Sequence, residues 1–353
     1  MLSRNLLSRP LILSIQPKST NVLYIPHQND QNRQNAVCIR RYNSFVESVK
    51  NVFHRGKNIY LKFLEKRFPT LYGYQMQILN GALGLKRDAF IWARMVGEMK
   101  TGKRLSSYSK TQLMAYLEIS QQKIKAVPIV FITMLPFSVM FLPLLFNWPG
   151  IFLTSHFMSE AQRTSVELDK LEHKLIYCER VLDDFALKVE KLPTHTRARK
   201  AAEEIINKMN DGTSIRPNEV ISIAEMFEDR RYSMHNIPYR YRMHLAHCNE
   251  LRIKNMTKDS QIQFLINKAM ATSAPSALTD SELKWVCFKH GVNPTLMTRS
   301  EQLNFLNRWN EFSKFINETH IPLLLHGVVF LGYNHPSNRK MKEKLKLKWK
   351  LKS

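Results

Sequence analysis

The sequence is poor in glycine, cysteine and acidic residues. Its 353 residues include 11 Gly, 4 Cys and 29 Asp or Glu. All-β folds consume turn residues, so 11 glycines beside 16 Met and long stretches rich in Leu, Ile, Lys and Glu exclude an all-β fold. The four cysteines (Cys38, Cys178, Cys248 and Cys287) lie too far apart in sequence for a disulfide framework and indicate a reducing compartment.

The shortage of acids leaves a strongly basic chain. Lys and Arg number 53, the formal charge is +24, and 44% of the residues are hydrophobic. That apolar share excludes a largely disordered chain, and the length fits about two or three domains. Phosphate loops, nucleophile elbows, H-E-x-x-H motifs and dinucleotide fingerprints are absent from the sequence, so we expect no enzyme activity and no cofactor.

One segment has the composition of a membrane span. No formal charge occurs from Ala126 to Phe146, and 16 of these 21 residues are apolar. About 20 apolar helical residues cross a hydrocarbon core of about 30 Å. Three prolines predict a kink, and Trp148 follows at the depth of an interfacial aromatic belt. We predict a single kinked transmembrane helix over 126–148; the alternative is a buried central helix of a soluble protein.

The N-terminal region predicts a mitochondrial address. The first 29 residues contain Arg4, Arg9 and Lys18 and no acid, which is typical of a transit peptide. We assign it to residues 1–42, and a basic segment without an address is the alternative. Residues 43–125 form a basic helical region, whose amphipathic helix over Phe45–Leu64 lies either on an anionic membrane or against the rest of the chain.

The C-terminal part predicts a series of helices. Apolar residues at alternating spacings of three and four form a heptad seam over Leu168–Leu192, which favours either an intramolecular helix pair or a homo-oligomer. Capping boxes begin helices after Thr279 and Thr298, and Gly291 suits the end of the first of them. No stretch alternates as a half-buried strand does, except in the C-terminal tail. The fold class is therefore all-α.

The order of these features resembles a known family. The first motifs are Leu135-Pro136-Phe137 and Leu142-Pro143, in the predicted membrane segment. A helix over 278–291 follows, with Glu282-Leu283, Cys287 and His290-Gly291. The last two motifs are Leu303, Leu306 and Trp309, and then Ile321-Pro322-Leu323-Leu324-Leu325. Over about residues 110–335 the chain is similar to the LETM domain of the leucine-zipper/EF-hand transmembrane proteins. It resembles most the short LETM-domain-containing subfamily, because it has no EF-hand calcium loop and no long C-terminal zipper.

The resemblance implies a fold, a location and a function. It implies a helical, ribosome-binding-like domain over 160–335 that faces the mitochondrial matrix from the inner membrane, followed by a basic tail over 336–353. It also implies that the protein binds mitochondrial ribosomes and supports mitochondrial structure and the respiratory chain. The alternatives are a cation/proton (K⁺ or Ca²⁺) exchanger, or a component of one, and a membrane-shaping scaffold. Val139 stands where the family has a membrane glutamate, so we expect no exchange by this chain alone.

The flanking charges predict the opposite orientation. Lys110, Lys123 and Lys125 lie within about 20 residues before the span, and Arg163 is the only cation within that distance after it. The positive-inside rule would place the N-terminal side in the matrix. Because the bias is only three charges against one, we follow the orientation that the resemblance implies.

Basic residues are the candidates for contact with an anionic partner. The tail from Arg339 to Lys352 holds eight cations and one acid. Such a segment suits binding to ribosomal RNA or to an anionic membrane that contains cardiolipin. The alternative is a solvated tail without a partner. DNA is not expected as a partner. The predicted contacts are Arg230, Arg231, Arg240, Arg242, Lys342, Lys344, Lys346 and Lys348.

Two short motifs suit a zinc site. His244-x-x-His247 and Cys287-x-x-His290 each place two ligands on one helix face, and two such helices can provide four ligands. The alternative, which we favour, is that the cysteines at positions 248 and 287 are buried core residues, as free cysteines commonly are.

Overall fold

The computed structural model describes residues 62–63, 65–134, 142–228 and 236–350, except for the side chains of residues 130, 132–134, 142–144 and 346–350. The chain divides into two compact units, residues 1–69 and 70–353. In the first unit, the rings of Phe63 and Phe68 meet edge to face with centroids 6.5 Å apart. The predicted transit peptide lies outside the described residues, as does the helix predicted over Phe45–Leu64 except at residues 62–63.

Every regular element among the described residues is helical, which confirms the predicted all-α class. The α-helices are α1 (Pro69–Lys100), α2 (Lys110–Met134), α3 (Leu142–Asn147), α4 (Pro149–Phe152), α5 (Glu160–Val189), α6 (Arg197–Asn210), α7 (Pro217–Ile221), α8 (Ala224–Glu228), α9 (Tyr239–Cys248), α10 (Met256–Ala271), α11 (Asp280–Lys289), α12 (Arg299–Phe315), α13 (Ile321–Gly327) and α14 (Arg339–Lys350). A π-helical turn over Val328–Gly332 continues α13.

The helix boundaries follow local sequence signals. Capping boxes are present at Thr279 and Thr298, as predicted, and a further one at Ser159 starts α5. Each satisfies backbone N–H groups that a helix leaves unpaired at its first turn. Gly291 follows α11 with a φ of 82°, a conformation that glycine adopts without steric cost.

The heptad seam lies inside the main core. Leu171, Leu175, Leu182 and Phe185 on α5 are buried, and α5 packs against α6, α9, α11 and α14. The seam is therefore covered by other helices of the same chain, which is the intramolecular alternative. Its residues are not available to a second copy while these helices remain in place.

The predicted membrane segment is described in part. α2 continues through Pro128 to Met134, and α3 and α4 follow, whereas residues 135–141 lie outside the described residues. No single helix of the described residues is long and apolar enough to cross a membrane. One bent pair, Arg299–Phe315 with Glu318–Gly332, passes the same test of length and composition when taken together, with a bend of 118°. The kinked span over 126–148 stays a prediction.

Candidate functional site

Six of the eight predicted anion contacts lie on two helices, α9 and α14, that both pack against α5. Arg240 and Arg242 are on α9, where Arg240 is exposed and the Arg242 guanidinium lies 6.0 Å from the ring centre of Tyr239. Tyr239 is 62% exposed. An exposed aromatic ring beside two arginines can stack on an unpaired base while the guanidinium groups bind phosphate. Arg230 and Arg231 lie outside the described residues.

Residues 339–350 of the basic tail form α14, and part of this helix is anchored to the domain. Lys342 donates a hydrogen bond to Asn334 Oδ1 at 2.5 Å and lies 3.7 Å from the ring centre of Tyr333. Lys344 Nζ is 3.4 Å from Glu172 Oε2 on α5. Lys346 and Lys348 are on the same helix, and their side chains lie outside the described residues. Two of the four tail lysines thus have partners within the chain.

The four zinc candidates have separate surroundings. His244 Nδ1 is 2.7 Å from Asp184 Oδ2, and His247 stacks on Tyr177 at 4.3 Å. His290 stacks on Trp309 at 3.9 Å, and burial raises the pKa of the Cys287 thiol to about 12. Within the described residues, no three of these four side chains approach one another closely enough to hold one metal ion.

Another group of ligand-type side chains does converge. Atoms of Asp88, Glu118 and His156 lie within 4.8 Å of one another. His156 Nε2 is 2.9 Å from Asp88 Oδ2, Arg87 Nε is also 2.9 Å from Asp88, and Glu118 accepts from the Ser155 hydroxyl. These partners account for the group as a polar cluster that ties α1 and α2 to residues 155–157.

A buried ion cluster lies at the end of α9, where no motif of the sequence indicates one. The side chain of Lys174 is 1% exposed, and its Nζ is 3.0 Å from Glu250 Oε1. Lys289 Nζ is 2.6 Å from the other oxygen of that carboxylate. Burial opposes the ionisation of Glu250, but the two ammonium groups outweigh it and hold its pKa well below the ordinary value.

Glu250 adopts a backbone conformation that is costly for its residue type. Its φ is 53°, and it is the only non-glycine residue of the described chain with a positive φ. The amide of Glu250 donates to His247 O and that of Leu251 donates to Ala246 O, which makes a Schellman motif in which glycine is usual at this position. Strain of this kind persists only where the surrounding structure holds it, and here the carboxylate joins two lysines.

Two buried histidines predict a dependence of stability on pH. Burial lowers the pKa of His290 to about 3 and that of His326 to about 4. In the unfolded chain both titrate near pH 6.5, so below that pH the unfolded state binds protons that the folded state does not. Stability is then fully present above about pH 6.5 and falls toward pH 4. Near pH 5 we expect a loss of about 1–2 kcal/mol from each histidine.

The substitution His290→Phe tests this dependence. Both ring nitrogens of His290 lack hydrogen-bond partners among the described residues, so a phenyl ring can take its place on Trp309 without leaving a polar group unpaired. Urea unfolding followed by circular dichroism should show a smaller loss of stability from pH 7 to pH 5 than in the natural chain. The exposed His173 on α5, changed to Gln, is the control. A pH dependence that His290→Phe leaves unchanged contradicts the assignment.

Comparison with known proteins identifies the family. The family model described as "LETM1-like, RBD" matches residues 109–330. Proteins named "LETM1 domain-containing protein 1" are similar over most of their length. The Bos taurus protein is 23% identical, over 84% of this chain and 84% of that protein. The Homo sapiens protein is 23% identical, over 92% of this chain and 89% of that protein. The Xenopus tropicalis protein is 24% identical, over 78% of this chain and 81% of that protein.

No solved structure gives a significant match. The segment matched by the family model covers well over half of the 353 residues and contains the motifs over 278–291, 303–309 and 321–325. The chain belongs to the LETM1-like family.

Proposed function

We propose that this chain is a mitochondrial inner-membrane protein whose helical domain binds mitochondrial ribosomes in the matrix and so supports mitochondrial structure and the respiratory chain. The observation that carries the proposal is the match of residues 109–330 to a family model described as "LETM1-like, RBD", in which RBD denotes a ribosome-binding domain. The proposal assigns the chain a binding role and no catalytic reaction.

The charge of the domain supports an RNA partner. Residues 160–353 hold 32 Lys or Arg against 23 Asp or Glu, a net charge of +9. Phosphate groups dominate the affinity of proteins for nucleic acid, and cations concentrated on one face provide it. Arg240 and Arg242 on α9, beside the exposed ring of Tyr239, are the best-placed contacts among the described residues.

Exposed apolar side chains support the membrane location. On α2, Ile124 is 79% exposed and Val127 and Phe131 are each 65% exposed. Their spacing of three and four places them on one face of the helix, which leads into the predicted span. Soluble proteins seldom expose such a contiguous apolar face, and a lipid environment covers it without cost.

Ribosome binding should depend on salt and on the α9 arginines. We expect the full chain to co-sediment with mitochondrial ribosomes, with an affinity that falls by about two orders of magnitude between about 50 and 200 mM salt. The double variant Arg240→Gln, Arg242→Gln removes two phosphate contacts and should weaken binding by about tenfold at low salt.

The matched control removes the same charge elsewhere. Arg197 and Lys200 are exposed on α6 and are not among the predicted contacts. Changing both to Gln should leave binding within about twofold of the natural chain, because they leave the proposed phosphate contacts intact. Absence of co-sedimentation at low salt, or equal losses in the two double variants, counts against the proposed surface.

A further inference from the structure

A cavity of about 380 Å³ opens between α2, the start of α5, the turn after α9, and helices α10 and α11. Apolar side chains form part of its wall, among them Leu117, Leu153, Val166 and Ile266. Its volume falls within the roughly 300–1,000 Å³ typical of small-molecule sites. The cavity is therefore large enough for a ligand with both polar and apolar parts.

Several residues on the wall of this cavity have a buried polar atom without a partner among the described residues. Glu167, Asn249, Asn267 and His290 are each at least nine-tenths buried, with exposures of 6%, 5%, 2% and 2%. Each has a side-chain oxygen or nitrogen that makes no hydrogen bond within the described part of the chain, and Arg163 Nε and Gln263 Oε1 share this property. Because native proteins pair nearly all buried polar atoms, such a concentration in one cavity points to a ligand with hydrogen-bonding groups.

The charges on the wall favour an anion. Glu167 is paired with Lys170 at 2.6 Å, and Glu250 is paired with Lys174 and Lys289. Two further cations have no acid partner among the described residues. They are Lys125, which donates to Gly150 O at 2.5 Å, and Arg163, whose guanidinium lies 5.4 Å from the ring centre of Trp285.

The surroundings of Lys125 and Glu118 also favour an anion in the cavity. Burial lowers the pKa of Lys125 and the nearby charge of Lys170 lowers it further, although the carboxylate of Glu167 acts in the opposite direction. An anion in the cavity would compensate both effects. The one remaining acid on the wall, Glu118, accepts a hydrogen bond from the Ser155 hydroxyl. Two cations against one acid leave an excess of positive charge facing the cavity.

The position of the cavity indicates where the anion comes from. The wall takes residues 114–125 of α2, and the same helix continues directly into the predicted membrane segment at residue 126. Exposed Ile124 and Val127 lie beside this junction. Basic pockets at the membrane end of transmembrane helices bind anionic lipid head groups.

We propose that this cavity binds the head group of an anionic glycerophospholipid. Lys125 and Arg163 hold the phosphate. Hydroxyl groups of the head group donate to side-chain oxygens of Asn249, Gln263 and Glu167, which turn toward the cavity when the lipid binds. The acyl chains leave along Leu117, Leu153 and Val166 toward the membrane. The inference rests on the proposed membrane location and is independent of ribosome binding.

The test compares two double variants of the full chain in neutral detergent. Lys125→Gln with Arg163→Gln removes the phosphate contacts. Lys123→Gln with Arg180→Gln removes the same charge from the same two helices, and Arg180 lies over Tyr177 at 5.4 Å much as Arg163 lies over Trp285. We expect short-chain phosphatidylglycerol to bind the first variant at least about tenfold more weakly than the natural chain, and the second within about twofold.

Further measurements separate the remaining outcomes. Val166→Phe narrows the cavity without changing charge and should also weaken lipid binding, so the proposal stays testable if the charge variant unfolds. Inorganic phosphate that binds as tightly as the lipid overturns the lipid assignment, and phosphatidylcholine that binds equally well overturns anion recognition. Equal losses in both double variants overturn the site. Ribosome co-sedimentation is measured in parallel. It should be the same for the double variant Lys125→Gln with Arg163→Gln as for the natural chain, so that a failure of lipid binding can be told apart from a failure of ribosome binding.

Discussion

Replacing Asn338 by alanine is expected to lower the free energy of unfolding by about 3–5 kcal/mol, since it leaves buried backbone groups unpaired and opens a void. The Asn338 side chain is fully buried. Its Nδ2 donates to Gly291 O and to Gly332 O, both at 2.8 Å, and its Oδ1 accepts from the Asn293 amide at 3.0 Å. One amide thereby joins the end of α11, the π-helical turn and the start of α14.

The surroundings of Asn338 leave no room for adjustment. A Cβ atom on Gly332 would lie 2.6 Å from His290 O, so the two backbones are already in close contact there. Gly332 O has a second donor, the His335 amide, whereas Gly291 O and the Asn293 amide have no other partner among the described residues. The substitution therefore leaves two buried groups unpaired.

Asn338→Asp distinguishes hydrogen bonding from packing. It keeps the shape but replaces the donor by an oxygen that faces two carbonyls, so we expect a loss at least as large as for alanine. The control is Asn307→Ala at an exposed position of α12, whose free energy of unfolding should stay within about 0.5 kcal/mol of that of the natural chain. Urea unfolding followed by circular dichroism measures all three. An aspartate variant as stable as the natural chain would show that the hydrogen bonds do not matter.

Local signals in the sequence predicted the helices well. The capping boxes at Thr279 and Thr298, the glycine after α11 and the seam of α5 each depend on residues within a few turns of one another. These signals act through the backbone of one helix or through the period of its apolar face. The family motifs over 278–325 lie within the same region, so they could be identified from the sequence as well.

The interior polar groups could not be predicted in this way. Asn338 falls within the segment assigned to a basic tail, yet it and Leu345 are buried. Lys174 lies next to Leu175 of the seam, at a position usually exposed to solvent, and its carboxylate partner is 76 positions away in sequence. The spacing of apolar residues along one helix does not show that these residues meet, because their contacts are made by packing between helices that are distant in sequence.

The orphaned atoms of the cavity wall come from the same cause. Glu167, Asn249 and His290 belong to separate helices or turns, and only the folded chain shows that they line one space. Sequence spacing did single out His290, but as one of four candidate zinc ligands and not as part of this cavity, and the favoured interpretation had no metal. The structure stacks that ring on Trp309 and leaves both of its nitrogens without a hydrogen-bond partner among the described residues.

Glu250→Gln is expected to lower the free energy of unfolding by about 3–5 kcal/mol, because it removes the carboxylate that, within the described chain, pairs with the ammonium groups of both Lys174 and Lys289. Lys174 and Lys289 Nζ lie 3.0 and 2.6 Å from the carboxylate oxygens. Lys174 also donates to Phe288 O and Lys289 O, so it cannot turn outward without breaking those bonds. The substituted chain must keep these two cations without the carboxylate that contacts them both, or lose their other contacts.

Two further variants give an expected order. Glu250→Gly also removes the carboxylate but suits a φ of 53°, so it should be more stable than Glu250→Gln by about 1 kcal/mol. Lys174→Met leaves the pair of Glu250 with Lys289 intact and should cost less than Glu250→Gln. The exposed Glu179 on α5, changed to Gln, is the control.

The pH range separates this cluster from the buried histidines. The pKa of Glu250 is held well below its ordinary value, so the carboxylate contributes its full stability above the unfolded pKa of about 4.5 and loses it only as the pH falls further. The difference in the free energy of unfolding between Glu250→Gln and the natural chain should therefore be the same at pH 7 and near pH 5. At the lower pH, His290 and His326 already reduce the stability of both chains. Urea unfolding at the two pH values measures it. A difference below about 1 kcal/mol at pH 7, or one that vanishes near pH 5, would mean that the carboxylate is not the group that stabilises Lys174 and Lys289.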